Sequence, residues 1–272
     1  MKEPTEAAMT DMTQEDRDAL REAKKLLESQ GIAAKLTNYL GSGLERGLKK
    51  IPPKYAGLVD QTVKKALGKG LDAAILSLGK GPRTGAAGKR GLLLHKAAAG
   101  VTGGVGGFFG LASVLAELPA STVIMLRAVA DVAAQNGEDL SDPETRLSCL
   151  EVFALGGPGD QDDGVETGYF AVRGALAAYL RTASGALGAA ASADAGAPAL
   201  AKFINQVAAR FAPAVTDKLA ASLVPVAGAV SGAAVNVIFT RHFQNIAQGH
   251  FAVRRLERRY GKETVRAAYE EL

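Results

Sequence analysis

Apolar residues recur along the chain at three- and four-residue spacing, and no stretch alternates apolar with polar between turn signals. That pattern predicts helices throughout. Thr13-Gln14-Glu15-Asp16 is a capping box that opens a helix to Gln30, with Gly31 beyond its end, and residues 32–50 continue as a basic amphipathic stretch. Pro52-Pro53 seeds the next helix, whose expected inner face is Tyr55, Leu58, Val59, Val63, Leu67, Leu71, Ala74 and Leu78. Residues 79–91 read as a flexible basic loop.

The most unusual segment follows. Residues 97–116 carry no charge and six glycines, with Gly100/Gly104, Gly103/Gly107 and Gly106/Gly110 each four apart. On a helix these form a strip nearly free of side chains, against which another backbone approaches closely. Pro119, read as the first residue of a second helix ending at Asn136-Gly137, makes 97–117 and 119–135 a central antiparallel hairpin turning at Leu118-Pro119. Ser141-Asp142-Pro143-Glu144 reads as a capping box for a helix that stops at Gly156-Gly157. An acidic loop follows, then a helix over 165–182. Residues 184–199 are low in complexity and read as a mobile insertion; helices over 200–222 and 226–260, a stop at Gly261 and a short closing helix complete the chain. The expected fold is all-α: an acidic N-terminal helical segment (1–31) and one multi-helix bundle domain (32–272) around the glycine-rich hairpin.

Composition narrows the reading. Hydrophobic residues make up 47%, aromatics only 6% and tryptophan is absent, which suits closely spaced helices with small side chains. A single cysteine, Cys149, excludes an internal disulfide, and no secretory leader is evident. Two uncharged runs, 97–116 and 219–240, have the length to span a bilayer, but their Ala, Gly and Ser content favours buried helices of a bundle.

The net charge of +4 conceals segregation: residues 1–31 carry −3, 32–96 carry +10, 97–200 carry −8 and 201–272 carry +5. The positive block implies an anionic partner, with Lys49, Lys50, Lys54, Lys64, Lys65 and Lys69 as the candidate surface, unless it pairs internally.

Familiar chemistry is not encoded. Gly88-Lys89 lacks the remaining P-loop positions, and Phe109 stands where a dinucleotide-binding glycine belongs. The acidic residues Asp160, Asp162, Asp163 and Glu166 miss the calcium-loop spacing. The three histidines are dispersed. No metal or cofactor is expected.

The conspicuous polar residues are those stranded in apolar helices: Glu117, Arg127, Asp131, Arg173, Asn236, His250, Arg254 and Glu257. Arg127 and Asp131 share a face, and Asn236, Phe239, Phe243, Ala247, His250, Arg254 and Glu257 form a stripe that begins apolar and ends charged. Charge on an apolar face is costly unless paired, so these groups are expected to converge, as a structural network or as the lining of a pocket.

Two blocks, GGVGGFFGLASVLAELPASTVIMLRAVADVAAQNGEDLSDPETRLSCLEVFALG and PVAGAVSGAAVNVIFTRHFQNIAQGHFAVRRLERRYG, resemble the core signature of the EcsC protein family. The matching positions are Gly107, Gly110, Glu117, Pro119, Arg127, Gly156, Tyr169, Arg173, Asn236, Phe239, Ala247, Leu256 and Glu257. The resemblance spans about residues 50–270, apart from 184–199. It implies a bacterial helical protein, cytosolic or at the membrane periphery, without a defined reaction. Two functions are expected from this reading. The first is a non-enzymatic accessory protein at the inner face of the membrane, docking through the basic block onto anionic lipid or a protein partner; nucleic acid is not the expected partner. The alternative is a hydrolase using buried carboxylates in a pocket.

Overall fold

The computed structural model describes residues 12–77, 111–157, 168–189, 193–224 and 230–272. Within them the chain forms ten helices: α1 (Gln14–Leu27), α2 (Ile32–Leu40), α3 (Gly43–Lys49), α4 (Tyr55–Ser77), α5 (Leu111–Gln135), α6 (Pro143–Leu155), α7 (Gly168–Ala189), α8 (Ala193–Ser222), α9 (Val230–Tyr260) and α10 (Lys262–Glu271). The described residues contain no strand, and the all-α bundle read from periodicity is what forms.

Several boundaries follow the local chemistry. The Thr13 side chain caps α1 by accepting from the Asp16 N–H, as expected, but the helix ends at Leu27, and Gly31 starts α2. Asn136-Gly137 does stop α5, with Gly137 at φ 78°. The cap of α6 is one residue later than expected. Asp142 accepts from the Thr145 N–H, because Pro143 at the first helical position fixes its neighbour as the cap, while Ser141 bonds to Asp139 instead.

Two expectations are corrected. Pro119 does not begin a helix; it lies inside continuous α5, so no turn forms at Leu118-Pro119. An internal proline forfeits a backbone hydrogen bond at a cost of about 3 kcal/mol. The burial of Leu118, Met125, Leu126 and Val129 along the same helix offsets that cost. The glycine strip at 97–110, the basic loop at 79–91 and the acidic loop at 158–164 lie outside the described residues. The described parts of 184–199 are helical, 184–189 closing α7 and 193–199 opening α8. Low complexity there is largely alanine, the best helix former.

The centre belongs to α8 and α9. Helix α8 packs against α2, α3, α4, α6 and α7; α9 packs against α1, α5, α6, α8 and α10. The uncharged run 219–240 is divided between these two helices, α8 ending at Ser222 and α9 starting at Val230. Among the described residues no helix is long and apolar enough to cross a membrane.

Where α6, α8 and α9 meet, Phe153, Phe211, Phe239 and Phe243 cluster, with ring centroids 4.8 Å apart for Phe153–Phe211 and 5.3 Å for Phe211–Phe243. A second apolar cluster gathers Leu20 and Ala23 of α1, Tyr169 of α7, Val253 and Leu256 of α9, and Val265 and Tyr269 of α10. Helix α9 therefore runs through both clusters, and its closely approached face lets α1 in at Gly249. A Cβ there would stand 2.7 Å from Leu27 Cγ and 2.9 Å from the Ala23 carbonyl oxygen.

Candidate functional site

Three helices place polar side chains at one-face spacing toward a common point between the two apolar clusters. Glu144 and Glu151 are seven apart on α6, Tyr169, Arg173 and Ala177 are four apart on α7, and His250, Arg254 and Glu257 follow at four and three on α9. Of these, Glu144, Glu151, Arg173, Ala177 and Arg254 line a partly open cleft of about 130 Å³, together with Leu180, Arg181 and the first residue of α10, Lys262.

Its walls are ion pairs. Arg173 donates from both terminal nitrogens to Glu257, at 2.7 and 3.0 Å, and from Nη1 to the Tyr169 hydroxyl at 3.3 Å. Arg254 donates from Nε and Nη2 to Glu138, at 2.9 and 3.2 Å, and its Nη1 lies 3.6 Å from Glu144. Arg258 closes on Glu138 as well. Burial acts to raise the Glu138 pKa, but hydrogen bonds and charge from Arg254 and Arg258 outweigh it, and the carboxyl stays below its ordinary value.

The floor is different. Glu151 has no hydrogen bond among the described residues, and its closest charged or ionisable partner is His250, Nε2 to Oε2, at 3.7 Å. Burial pushes its pKa up to about 7, against the lowering influence of Arg173 and Arg254. Arg173 can only donate to the Tyr169 oxygen, so the tyrosine proton is free to go to His250 Nδ1, 3.1 Å away. With Nδ1 accepting from Tyr169, the ring proton of His250 is on Nε2, which has no hydrogen-bond partner among the described residues and lies 3.7 Å from Glu151. Burial, then the charges of Arg173 and Arg254, hold its pKa well below the ordinary value, so the ring is neutral.

Of the expected network, Arg173, His250, Arg254 and Glu257 converge here. Glu117 and Asn236 meet elsewhere: Asn236 Nδ2 donates to Glu117 at 3.0 Å, and buried Lys218 lies 3.9 Å from the same carboxylate and 5.3 Å from the Phe239 ring centre. Glu117 thus has a cationic neighbour, although it sits within α5 and not at a helix end. Arg127 and Asp131 do not form their expected i,i+4 pair. Arginine N-terminal to an acid is the weaker order at that spacing, and the half-buried Arg127 keeps its Nε without a hydrogen-bond partner among the described residues. Sequence reasoning missed Glu151, Glu138, Glu144 and Lys218, and took Tyr169 only as a family position. Glu151 was findable, being the one charge in LSCLEVFAL. Glu138, in a turn after Gly137, gave no signal.

A second candidate lies on α3 and α4. Lys49, Lys50, Lys54, Lys65 and Lys69 are exposed, whereas Lys64 is half-buried and pairs with Asp60 at 2.7 Å. Among these lysines Leu48 is 38% and Leu58 48% exposed, and Tyr39 at the end of α2 is 45% exposed. Leu58, expected on the inner face, lies on the outer one; the buried face of α4 is Val59, Val63, Ala66, Leu67 and Leu71. Cys149 is buried, and burial pushes its thiol up to about 12, so it is no nucleophile.

The family model described as EcsC protein family matches residues 14–256, and the chain belongs to that family. No protein of curated function and no solved structure matches it.

Proposed function

We propose that the protein is a membrane-peripheral accessory protein that docks onto anionic lipid at the inner face of the cell membrane through the outer face of α3 and α4. The observation that carries this reading is the pair of exposed leucines, Leu48 and Leu58, standing among Lys49, Lys50, Lys54, Lys65 and Lys69. Residues 43–69 hold seven basic and two acidic residues, and one of the acids, Asp60, is already paired. A lysine near an anionic surface contributes about 1 kcal/mol, and apolar side chains beside it reach the headgroup boundary.

Flotation of the full chain with liposomes tests this. Binding to vesicles containing anionic lipid, absent with neutral vesicles and reversed by salt, is the expected result. The triple variant Lys54→Glu, Lys65→Glu, Lys69→Glu should weaken it on the order of a hundredfold or more, at about 1 kcal/mol per lysine. Equal binding by variant and parent, or none by the parent, overturns the reading.

One observation favours hydrolysis as a second reading: Glu151 lines a cleft and holds its proton close to neutrality, as a general acid must. Turnover of carboxylic and phosphate esters that collapses in Glu151→Gln would support it, and no turnover by the parent would remove it.

A further inference from the structure

The cleft between α6, α7, α9 and α10 holds donors that the protein does not use. The forks of Arg173 and Arg254 are committed to Glu257 and Glu138, yet Arg254 Nη1 faces only Glu144, whose side chain is 49% exposed at the mouth. Arg181 and Lys262 are exposed at the rim and have no ion-pair partner among the described residues. Lys262 also opens α10, whose first N–H groups receive no side-chain cap. At the floor, Glu151 is 4% exposed with no hydrogen bond of its own among the described residues. A buried carboxyl without a hydrogen bond, lining a cavity beside two cations that have no ion-pair partner among the described residues, is arranged for a ligand.

We infer that this cleft binds a phosphate-class oxyanion, with Lys262, Arg181 and Arg254 Nη1 supplying positive charge and the carboxylic acid of Glu151 donating from below. Four donors approaching from different helices suit a tetrahedral group with an acceptor in every direction, whereas a planar carboxylate offers two oxygens in one plane. The cavity admits such a group with a small substituent and not a large ligand. The site is separate from the α3–α4 face, so failed flotation leaves it standing.

Binding then depends on the proton at Glu151. The groups facing it are Glu144 on its own helix, Tyr169, Arg173 and Arg181 from α7, His250, Arg254 and Glu257 from α9, and Lys262 from α10. With its proton the acid donates; without it the carboxylate repels an anion. Affinity therefore falls as pH rises through about 7.

Calorimetric titration of the full chain at fixed ionic strength, with chloride as the balancing ion, tests this. Sulfate keeps one charge state between about pH 5 and 9 and serves as the pH probe; inorganic phosphate and phenyl phosphate distinguish the free ion from a monoester. The expected result is one saturable site, weakened at least tenfold by Arg181→Ala with Lys262→Ala, both at exposed positions. Wild-type affinity for sulfate should drop at least tenfold from about pH 6 to 8.5. Glu151→Gln, which keeps an N–H donor at every pH, should bind with a flat profile. No saturable binding, binding indifferent to the rim variant, acetate competing as well as phosphate, or an unchanged pH profile in Glu151→Gln would each overturn the inference.

Discussion

Glu151 and His250 share a buried contact, and burial penalises the charged form of each, so their effects on stability run in opposite directions with pH. The Glu151 carboxyl has a folded pKa near 7 against a reference value of 4.5, so the native state binds more protons between those values and stability falls as pH rises through that window. His250 has a folded pKa well below its ordinary 6.5, so the unfolded state binds more protons there and stability falls as pH drops below 6.5. Between pH 4.5 and 6.5 the two trends offset each other. Glu151→Gln removes one of them. Denaturant unfolding of the variant should show a gain over the wild type that grows by roughly 2 kcal/mol from about pH 5 to pH 7. A constant difference across that range would mean Glu151 titrates normally. At this scale the sequence was half legible. A lone charge among apolar residues announces Arg173, and one-face spacing announces Arg254 and Glu257, but only geometry reveals that Glu138 receives two arginines.

Helices follow from spacing and caps because both are local, and that is why the all-α class and most of the helices were readable, although α2 and α3 were read as one stretch and α5 as the second arm of a hairpin. What was misread depends on contacts from elsewhere. Proline at 119 signals a helix start until packing on both sides of it outweighs the lost bond. Leu58 scores as inner on spacing alone, yet it points out because Val59, Val63 and Leu67 take the buried face. Glycines that admit a close neighbour among the described residues lie outside the glycine-rich segment: Gly47 of α3 meets the Ala220 carbonyl of α8, and Gly249 of α9 meets α1. Gly249→Ala raises intrinsic helix propensity by about 1 kcal/mol, but its methyl group would meet Leu27 and the Ala23 carbonyl well inside contact distance. Overpacking of this kind costs about 1–3 kcal/mol, and part of the obstruction is backbone, so the sign should be net destabilising. Hydrogen exchange should show protection lost first in α1. A variant as stable as the parent, with α1 still protected, would show that the two helices separate without cost.

At the scale of the molecule, the segregated charge has two destinations. Helix α1, within the acidic block 1–31, meets the basic end of α9 and the closing α10: Arg259 donates to Asp16 at 2.8 Å, the Tyr260 hydroxyl does so at 2.7 Å, and Lys24 donates to the Tyr269 carbonyl at 2.9 Å. Burial resists ionisation of Asp16, but the Tyr260 hydrogen bond leads the effects that hold its pKa below the ordinary value. The lysines of α3 and α4 mostly remain in solvent, which is why that face is the proposed docking surface. Charge blocks were visible in the sequence; which of them find each other was not, because that is decided by partners more than 200 residues apart. The bond from Arg259 to Asp16 closes a separation of 243 residues. A ribosome adding about 5–20 residues per second needs on the order of ten to fifty seconds to cover that distance. Until residues 253–269 are made, α1 lacks the α9 and α10 side chains that cover Leu20 and Ala23 in the fold.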